Sequence, residues 1–392
     1  MKVKTLGEIC NIVSGGTPTR SKPQFWVDGT IPWIKIGNIK GKYITEADEF
    51  ITQEGLNGSS AKMISKGSVL YTIFATLGEV GILGFDACTN QAIAGITIKD
   101  KEQLSTDYLY YYLKSKKSYV NNIGRGVAQN NINMSILRSF EVPLPDLSKQ
   151  NEITRVVEKV SQIINARKQE ICYLDNLIKA RFVEMFGDPV INTFGWEQRL
   201  LHEVTNKIGS GATPRGGKES YQAEGITLIR SMNVHDGRFE YRDLAHITDE
   251  QAAQMDNVTV EEQDVFINIT GASVARSCIV PSEVLPARVN QHVAIIRCNR
   301  NQLHPIFINN MFLNDRFKGQ LLDIGASGGA TRQAITKQQL EMLTVILPPM
   351  ERQQQFAAFV TQVDKSKAVI QKALDKTQLL FDSLMQEYFG ER

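Results

Sequence analysis

The sequence is poor in the residues that build metal centres and disulfide frameworks. It has five cysteines, none in a C-x-x-C pair, which argues against a disulfide scaffold and a cysteine zinc cluster. Cys10, Cys88, Cys172, Cys278 and Cys298 are expected as small buried hydrophobes of a reduced, cytoplasmic protein. The histidines His202, His235, His246, His292 and His304 show no metal-ligand spacing. An excess of charge of one sign is also missing. With 44 Lys and Arg against 42 Asp and Glu the formal charge is only +2, which excludes a grossly basic tail but not a local basic face. No apolar run approaches a membrane span, and residues 1–10 lack a signal-peptide stretch, so a soluble chain with no membrane partner is expected.

Catalytic motifs are equally scarce. Gly211-Ala212-Thr213-Pro214-Arg215-Gly216-Gly217-Lys218 approaches a phosphate-binding loop, but the glycine spacing is off and Glu219 stands where Ser or Thr should hold magnesium. Gly78-Glu79-Val80-Gly81-Ile82-Leu83-Gly84 is not a dinucleotide fingerprint and reads as strand-turn-strand with glycines at positive φ. No Asn-Pro-Pro or Asp-Pro-Pro motif of an amino-methyltransferase is present. No catalytic residue, metal site or resident cofactor is assigned.

What the chain does have is duplication. Ser14-Gly15-Gly16-Thr17-Pro18 returns as Ser210-Gly211-Ala212-Thr213-Pro214, and Asn90-Gln91 as Asn290-Gln291. Val142-Pro143-Leu144-Pro145 returns as Val345-Ile346-Leu347-Pro348, and Glu184-Met185-Phe186-Gly187 as Glu387-Tyr388-Phe389-Gly390. The spacing between copies lengthens slightly along the chain, as an old duplication with small loop insertions would leave it. Two similar halves imply a pseudo-twofold molecule.

Each half opens with short β-forming segments, Val69–Phe74 and Ile93–Ile98 in the first, Val265–Ile269 and Val293–Ile296 in the second. A helix is expected over Asp107–Lys114 and its partner over Pro305–Phe317. Each half closes at a proline-bearing strand and then a long helix, from about Ser148, expected as its N-cap, to Phe186, and from about Glu351 to Phe389. Val157, Val160, Ile164, Ile171, Leu174, Ile178 and Met185 in the first, and Val360, Val363, Ile370, Leu374, Phe381, Leu384 and Tyr388 in the second, fit a coiled-coil seam. Arg167, Arg181, Lys367 and Thr377 break it. Chain order makes such a pair antiparallel, each helix about 55 Å long. The fold class expected is α/β (α+β): two similar mixed domains, 1–147 and 190–350, separated by long antiparallel helices, 148–189 and 351–392, with a pseudo-twofold repeat.

The duplicated chemistry is polar and suited to reading bases. Thr17, Thr19, Arg20 and Lys22 correspond to Thr213, Arg215 and Lys218. Lys35, Asn38, Lys40 and Lys42 correspond to Arg230, Asn233, His235 and Arg238. Gln129, Asn130 and Asn131 correspond to Arg332, Gln333 and Ala334, and Arg125 and Arg276 join these DNA-binding candidates. Arg and Lys suit guanine or phosphate, and Asn and Gln suit adenine edges. Each also has a structural reading, in which Asn-Gln satisfies backbone groups and glycine-threonine-proline forms a rigid turn. Retention of Asn-Gln in both halves favours structure, since base-reading residues should differ between half-sites.

Taken together, Leu6-Gly7-Glu8-Ile9-Cys10, Gly15-Gly16-Thr17-Pro18, Ile31-Pro32-Trp33-Ile34, the Pro143-to-Gln150 junction and the helix closing at Met185-Phe186-Gly187-Asp188-Pro189 resemble the specificity subunit of a type I restriction–modification system along the whole chain. The second half departs from it, with Ile226-Thr227-Leu228-Ile229 in place of Ile31-Pro32-Trp33-Ile34. The resemblance implies a non-catalytic subunit with two target-recognition domains, each reading half of a bipartite double-stranded DNA target. It implies helices that set the spacing and dock two methyltransferase subunits, with restriction/translocase subunits added. S-adenosylmethionine, ATP and Mg would then belong to those partners. The alternatives are a coiled-coil scaffold with two ligand-binding lobes, or a DNA methyltransferase in its own right.

Overall fold

The computed structural model describes residues 2–124, 131–214, 216–326 and 333–390. The chain forms two compact units, one of Met1–Lys168 with Lys372–Arg392, the other of Gln169–Gln371. The two long helices, Leu147–Phe186 and Met350–Phe389, have 40 residues each. Each therefore contributes to both units.

The first unit holds a five-stranded sheet in the order Cys10–Ser14, Ile93–Ile98, Val69–Thr72, Val80–Leu83 and Tyr43–Ile44. Its last pair is parallel and the others are antiparallel. A three-stranded sheet places Ile31–Ile34 between Glu49–Ile51 and Cys88–Thr89. Apolar side chains alternate toward a core that includes Ile34, Ile44, Ile64, Leu70, Leu83 and Ile93. A terminal ribbon pairs Lys2–Thr5 with Glu141–Leu144.

The second unit repeats this plan. Thr205–Ser210, Val293–Cys298, Val265–Asn268 and Ser277–Ile279 form one sheet, and Ala245–Ile247, Ile226–Ile229 and Ala287–Val289 another. Gln198–Leu200 pairs with Thr344–Ile346. One detail differs. Val234–His235 pairs with Arg238–Phe239 in a local ribbon, where the first unit adds Tyr43–Ile44 to its sheet.

A buried glutamine fastens each long helix to its unit. Gln150 Oε1 accepts from the Ser105 N–H at 2.9 Å, and its amide donates to the Gln103 and Pro145 carbonyls at 2.8 and 2.9 Å. Gln353 does the same with His304, Gln302 and Pro348 at 2.8, 3.0 and 2.8 Å. Both side chains are fully buried. The far end of the other helix completes each unit through aromatic packing. Phe389 lies 5.1 Å from Tyr108, whose hydroxyl donates to the Pro143 carbonyl, and Phe186 lies 4.8 Å from Phe307.

The helix segments are antiparallel within each unit. In the first, Arg167 donates to the Ala373 carbonyl and the Thr377 hydroxyl, while Phe389 packs on Tyr108, whose hydroxyl bonds the Pro143 carbonyl shortly before Leu147. In the second, Asp175 pairs with Lys367 at 2.6 Å and Phe182 meets Phe356 at 5.5 Å. Val157, Val160, Ile164, Leu374 and Phe381 are buried in the first unit, and Leu384 and Tyr388 half-buried. Ile178, Met185, Val360 and Val363 are buried in the second, and Ile171, Leu174 and Ile370 half-buried. The seam's polar interruptions are thus mostly matched: Arg167 with Thr377, Lys367 with Asp175, and Arg181 with Glu184 at 2.9 Å. The seam is also not a free-standing zipper, since Ile178, Met185, Val360 and Val363 belong to the second unit's main core.

Four expectations need correction. Pro305–Phe317 is not one helix: Pro305–Leu313 stops at Asn314, whose extended backbone lets its side chain accept from the Arg316 N–H, and Asp315–Ala326 follows. Ser148 is not the N-cap, because Asp146 accepts from the Lys149 N–H at 2.8 Å. Of Gly78, Gly81 and Gly84, only Gly78 has positive φ, as the hairpin needs a left-handed residue at its turn alone. Cys172 is exposed on the first long helix while the other four cysteines are buried.

Leucine in place of either glutamine would strand one backbone N–H and two carbonyls in the interior. We expect Gln150→Leu and Gln353→Leu each to destabilise by about 2 kcal/mol or more, read as a lower urea midpoint. Wild-type midpoints in both would show that the amides do not hold the helices.

Candidate nucleic-acid interface

The glycine-threonine-proline loops are fixed by close backbone contact. A Cβ on Gly15 would lie 2.1 Å from the Asn90 carbonyl oxygen, and one on Gly211 only 1.6 Å from that of Val289. Only glycine permits this approach. The opposing turns are tied by their asparagines, since Asn90 Oδ1 accepts from the Ala92 N–H and Asn290 Oδ1 from the His292 N–H, both at 3.1 Å. In the first unit this sets the Thr17 hydroxyl against Gln91 Oε1. Thr213 is exposed at the corresponding place.

Beside that loop lies an aromatic and ionic cluster. Trp33 is buried and donates its indole N–H to the Gly16 carbonyl at 2.9 Å. Trp26 meets it edge-to-face at 5.1 Å, and the Arg20 guanidinium stacks 3.7 Å from the Trp26 ring centre. Glu49 takes Arg20 on one oxygen and Lys35 on the other, each at 2.6 Å. Burial would raise its pKa, but hydrogen bonds from Lys35 and Arg20, and their charges, hold the carboxyl below its ordinary value. Thr19, Lys22 and Lys40 are exposed, and Lys22 lies 5.0 Å from the Phe25 ring.

In the second unit Arg230 lies 5.4 Å over Tyr221 and donates to the Asp243 carbonyl. Arg238 is exposed, 3.7 Å from Glu240; His235 is half-buried. Arg276 is half-buried just after Ala275, which holds a left-handed φ of 65°. Gln333 is exposed, and its carbonyl accepts from the Gly271 N–H at 2.9 Å. Arg125, Gln129, Asn130, Arg215 and Arg332 lie outside the described residues, as does the side chain of Lys218.

Three of the candidate residues are drawn into the interior of the fold. Asn38 and Asn233 are buried, and their oxygens accept from the Lys35 and Arg230 N–H groups at 2.9 and 3.1 Å. They build the turns beneath the surface and do not present base-reading edges. Lys42 is drawn inward, pairing with Asp107 and with Glu158 of the first long helix, both at 2.9 Å. Burial disfavours its charge, but the hydrogen bonds its ammonium donates to those carboxylates, and their charge, more than offset this and raise its pKa. It serves as a helix anchor.

Reasoning from residue types alone missed Glu49, because an acid was not sought among the candidate DNA-binding cations. It also set His292 aside. That ring bridges Thr270, 2.5 Å from Nδ1, and Gln291, 3.0 Å from Nε2. Ala92 occupies the equivalent position in the first half. The signal was the divergence itself, a polar residue in one half only, over a turn retained in both.

The type I restriction–modification DNA specificity domain model matches residues 1–173 and 194–377. The chain belongs to this family. A MjaIX type I restriction enzyme specificity subunit of Methanocaldococcus jannaschii is 26% identical over 416 residues, covering 100% of this chain and 92% of the relative. The HindI specificity subunit of Haemophilus influenzae is 31% identical over 180 residues, 43% of this chain and 39% of that protein. Among solved structures, an S subunit from M. genitalium superposes with a TM-score of 0.57 at 13% identity, covering 100% and 96% of the two chains. A chain from a study of type I system assembly and conformational transition gives 0.57 at 18% identity, covering 99% and 97%. At those identities the structures establish the shared fold. As a specificity subunit the chain is a non-catalytic DNA-recognition component, which sets aside the scaffold and methyltransferase alternatives. Among the described residues no helix is long and apolar enough to cross a membrane, and no group of His, Cys, Asp or Glu is arranged to hold a metal.

The specificity subunit's two neighbouring lysines separate structure from binding. We expect Lys42→Met to lower the urea midpoint and leave the salt dependence of DNA binding unchanged. Lys40→Ala should leave stability unchanged and flatten the salt slope by up to about one. The reverse pattern would contradict these assignments.

Proposed function

We propose that residues 1–147 and 190–350 are two target-recognition domains, each reading one short block of a bipartite duplex target. The observation that carries this is one framework bearing two different polar faces. The glycine loop, the asparagine turn and the buried Asn38/Asn233 caps are present in both units. The groups around them differ: Glu49 with Arg20 and Lys35 in the first, Arg230 over Tyr221 and His292 with Thr270 in the second. Such divergence suits two unlike half-sites, with Arg and Lys directed to guanine or phosphate and amides to adenine. Arg125, Gln129, Asn130, Arg215, Lys218, Arg332 and Gln333 extend these surfaces in this reading.

The long helices set the separation of the half-sites and carry the partner subunits. At 1.5 Å per residue a 40-residue helix is about 60 Å long. At about 3.4 Å per base pair this bounds the separation at roughly 18 base pairs. Both helices expose apolar residues that core packing does not use, Leu177 with Tyr173 in the second unit and Leu380 with Leu379 in the first. Leu177 and Leu380 occupy equivalent repeat positions, so each marks a docking face for one of two methyltransferase subunits. S-adenosylmethionine belongs to those subunits, and ATP and Mg to restriction/translocase subunits that join them.

Two experiments test this. Inserting one heptad into both helices, after Ile171 and after Leu374, keeps the seam in phase and adds about 10 Å. The methylated motif in cells should keep both blocks while the spacer grows by up to about three base pairs; an unchanged spacer in an active product would remove the helices as the ruler. Leu177→Asp and Leu380→Asp should each cost one methyltransferase copy, read by mass of the purified complex, with DNA binding by the free chain retained. Full stoichiometry in both would place the docking faces elsewhere.

A further inference from the structure

Glu49 stands out as an acid placed among cations that would face a polyanion. Its carboxylate is shared between Arg20 and Lys35, each at 2.6 Å, and the Arg20 plane is stacked on Trp26 at 3.7 Å. The stack and the ion pair fix the guanidinium in plane and in rotation. One terminal nitrogen is committed to Glu49, and the Arg20 side chain stays 53% exposed. The remaining N–H donors therefore form a prepositioned edge, the arrangement that suits the O6 and N7 acceptors of guanine.

The second unit shows that the carboxylate is not required to build this part of the fold. Glu49 lies opposite Trp33 in its ladder, and the matching pair in the second unit is Ala245 opposite Leu228. The same strands pair there, the same asparagine cap holds the turn, and Arg230 stands where Lys35 does. The charge is thus an addition of the first unit.

Resting on the reading that the first unit binds DNA, we infer that Glu49 is a positioning residue for sequence readout: it withholds Arg20 and Lys35 from the phosphate backbone and presents Arg20 to a base edge. An isolated cation falls onto the nearest phosphate, a contact without sequence information. A cation already held by a carboxylate gains less from a phosphate, and the carboxylate repels it. Glu49 would therefore trade general affinity for discrimination.

The test uses the full-length chain and its isosteric variant Glu49→Gln. Binding to a random-sequence duplex is followed by fluorescence anisotropy across a salt series, and the methylated motif is mapped in cells with the partner methyltransferase. We expect Glu49→Gln to bind the random duplex several-fold tighter at low salt, with a slope steeper by one to two. Its motif should relax at one position in one block. Arg20→Lys, which keeps the charge but loses the fork, should relax the same position without tighter random binding. Unchanged urea midpoints check the fold, and Glu49→Ala, matching the alanine of the second unit, replaces Glu49→Gln if that variant is unstable. A wild-type slope and an unrelaxed motif in the variant would overturn the role of Glu49 alone. Absence of salt-dependent binding by the wild-type chain would overturn DNA reading by the free chain, and this inference with it.

Discussion

Two buried amides hold the architecture together. Gln150 and Gln353 each satisfy one N–H and two carbonyls in the first turn of a long helix, and each does so with no exposure to solvent. A buried amide costs free energy unless all its groups are paired, so the junction tolerates few geometries. The helix direction is fixed there, and the docking of the opposite helix end, Phe389 on Tyr108 and Phe186 on Phe307, follows from it. Each unit is thus completed by the start of one helix and the end of the other. Neither half of the sequence accounts for a whole unit, although the repeat divides the sequence into halves.

Much of this was legible in the sequence, and for physical reasons. Long amphipathic periodicity bounded by Gly187 and Gly390 specifies the helices to within a residue or two. The repeated Gly-Thr-Pro and Asn-Gln signals specify turns, because only glycine allows the backbone approach at Gly15 and Gly211. The break between Leu313 and Asp315 was not legible, since an asparagine side chain substituting for one backbone acceptor leaves the apolar pattern unbroken. The inward turn of Lys42 was equally hidden. Its partners Asp107 and Glu158 are distant in sequence, and nothing local distinguishes it from the exposed Lys40.

The candidate interface divides along the same line. Positions retained in both halves proved to be framework: Asn38 with Asn233 and Asn90 with Asn290 bind backbone groups. Positions that differ carry exposed or partly exposed polar groups, among them Arg20, Glu49 and His292. Within one chain the duplication therefore serves as an internal comparison, in which identity marks folding constraints and difference marks the surfaces free to take on separate recognition tasks. Family membership agrees, placing the chain among DNA specificity subunits, whose catalytic chemistry resides in other subunits.

The central claim is that the two domains read DNA independently on a common framework. The most direct measurement replaces residues 1–147 with the corresponding domain of a relative that has a different target, and maps the methylated motif in cells supplying the methyltransferase subunits. The account predicts that one block of the motif changes to that of the donor while the other block stays as it was. A motif in which both blocks change together, or neither does, would contradict it.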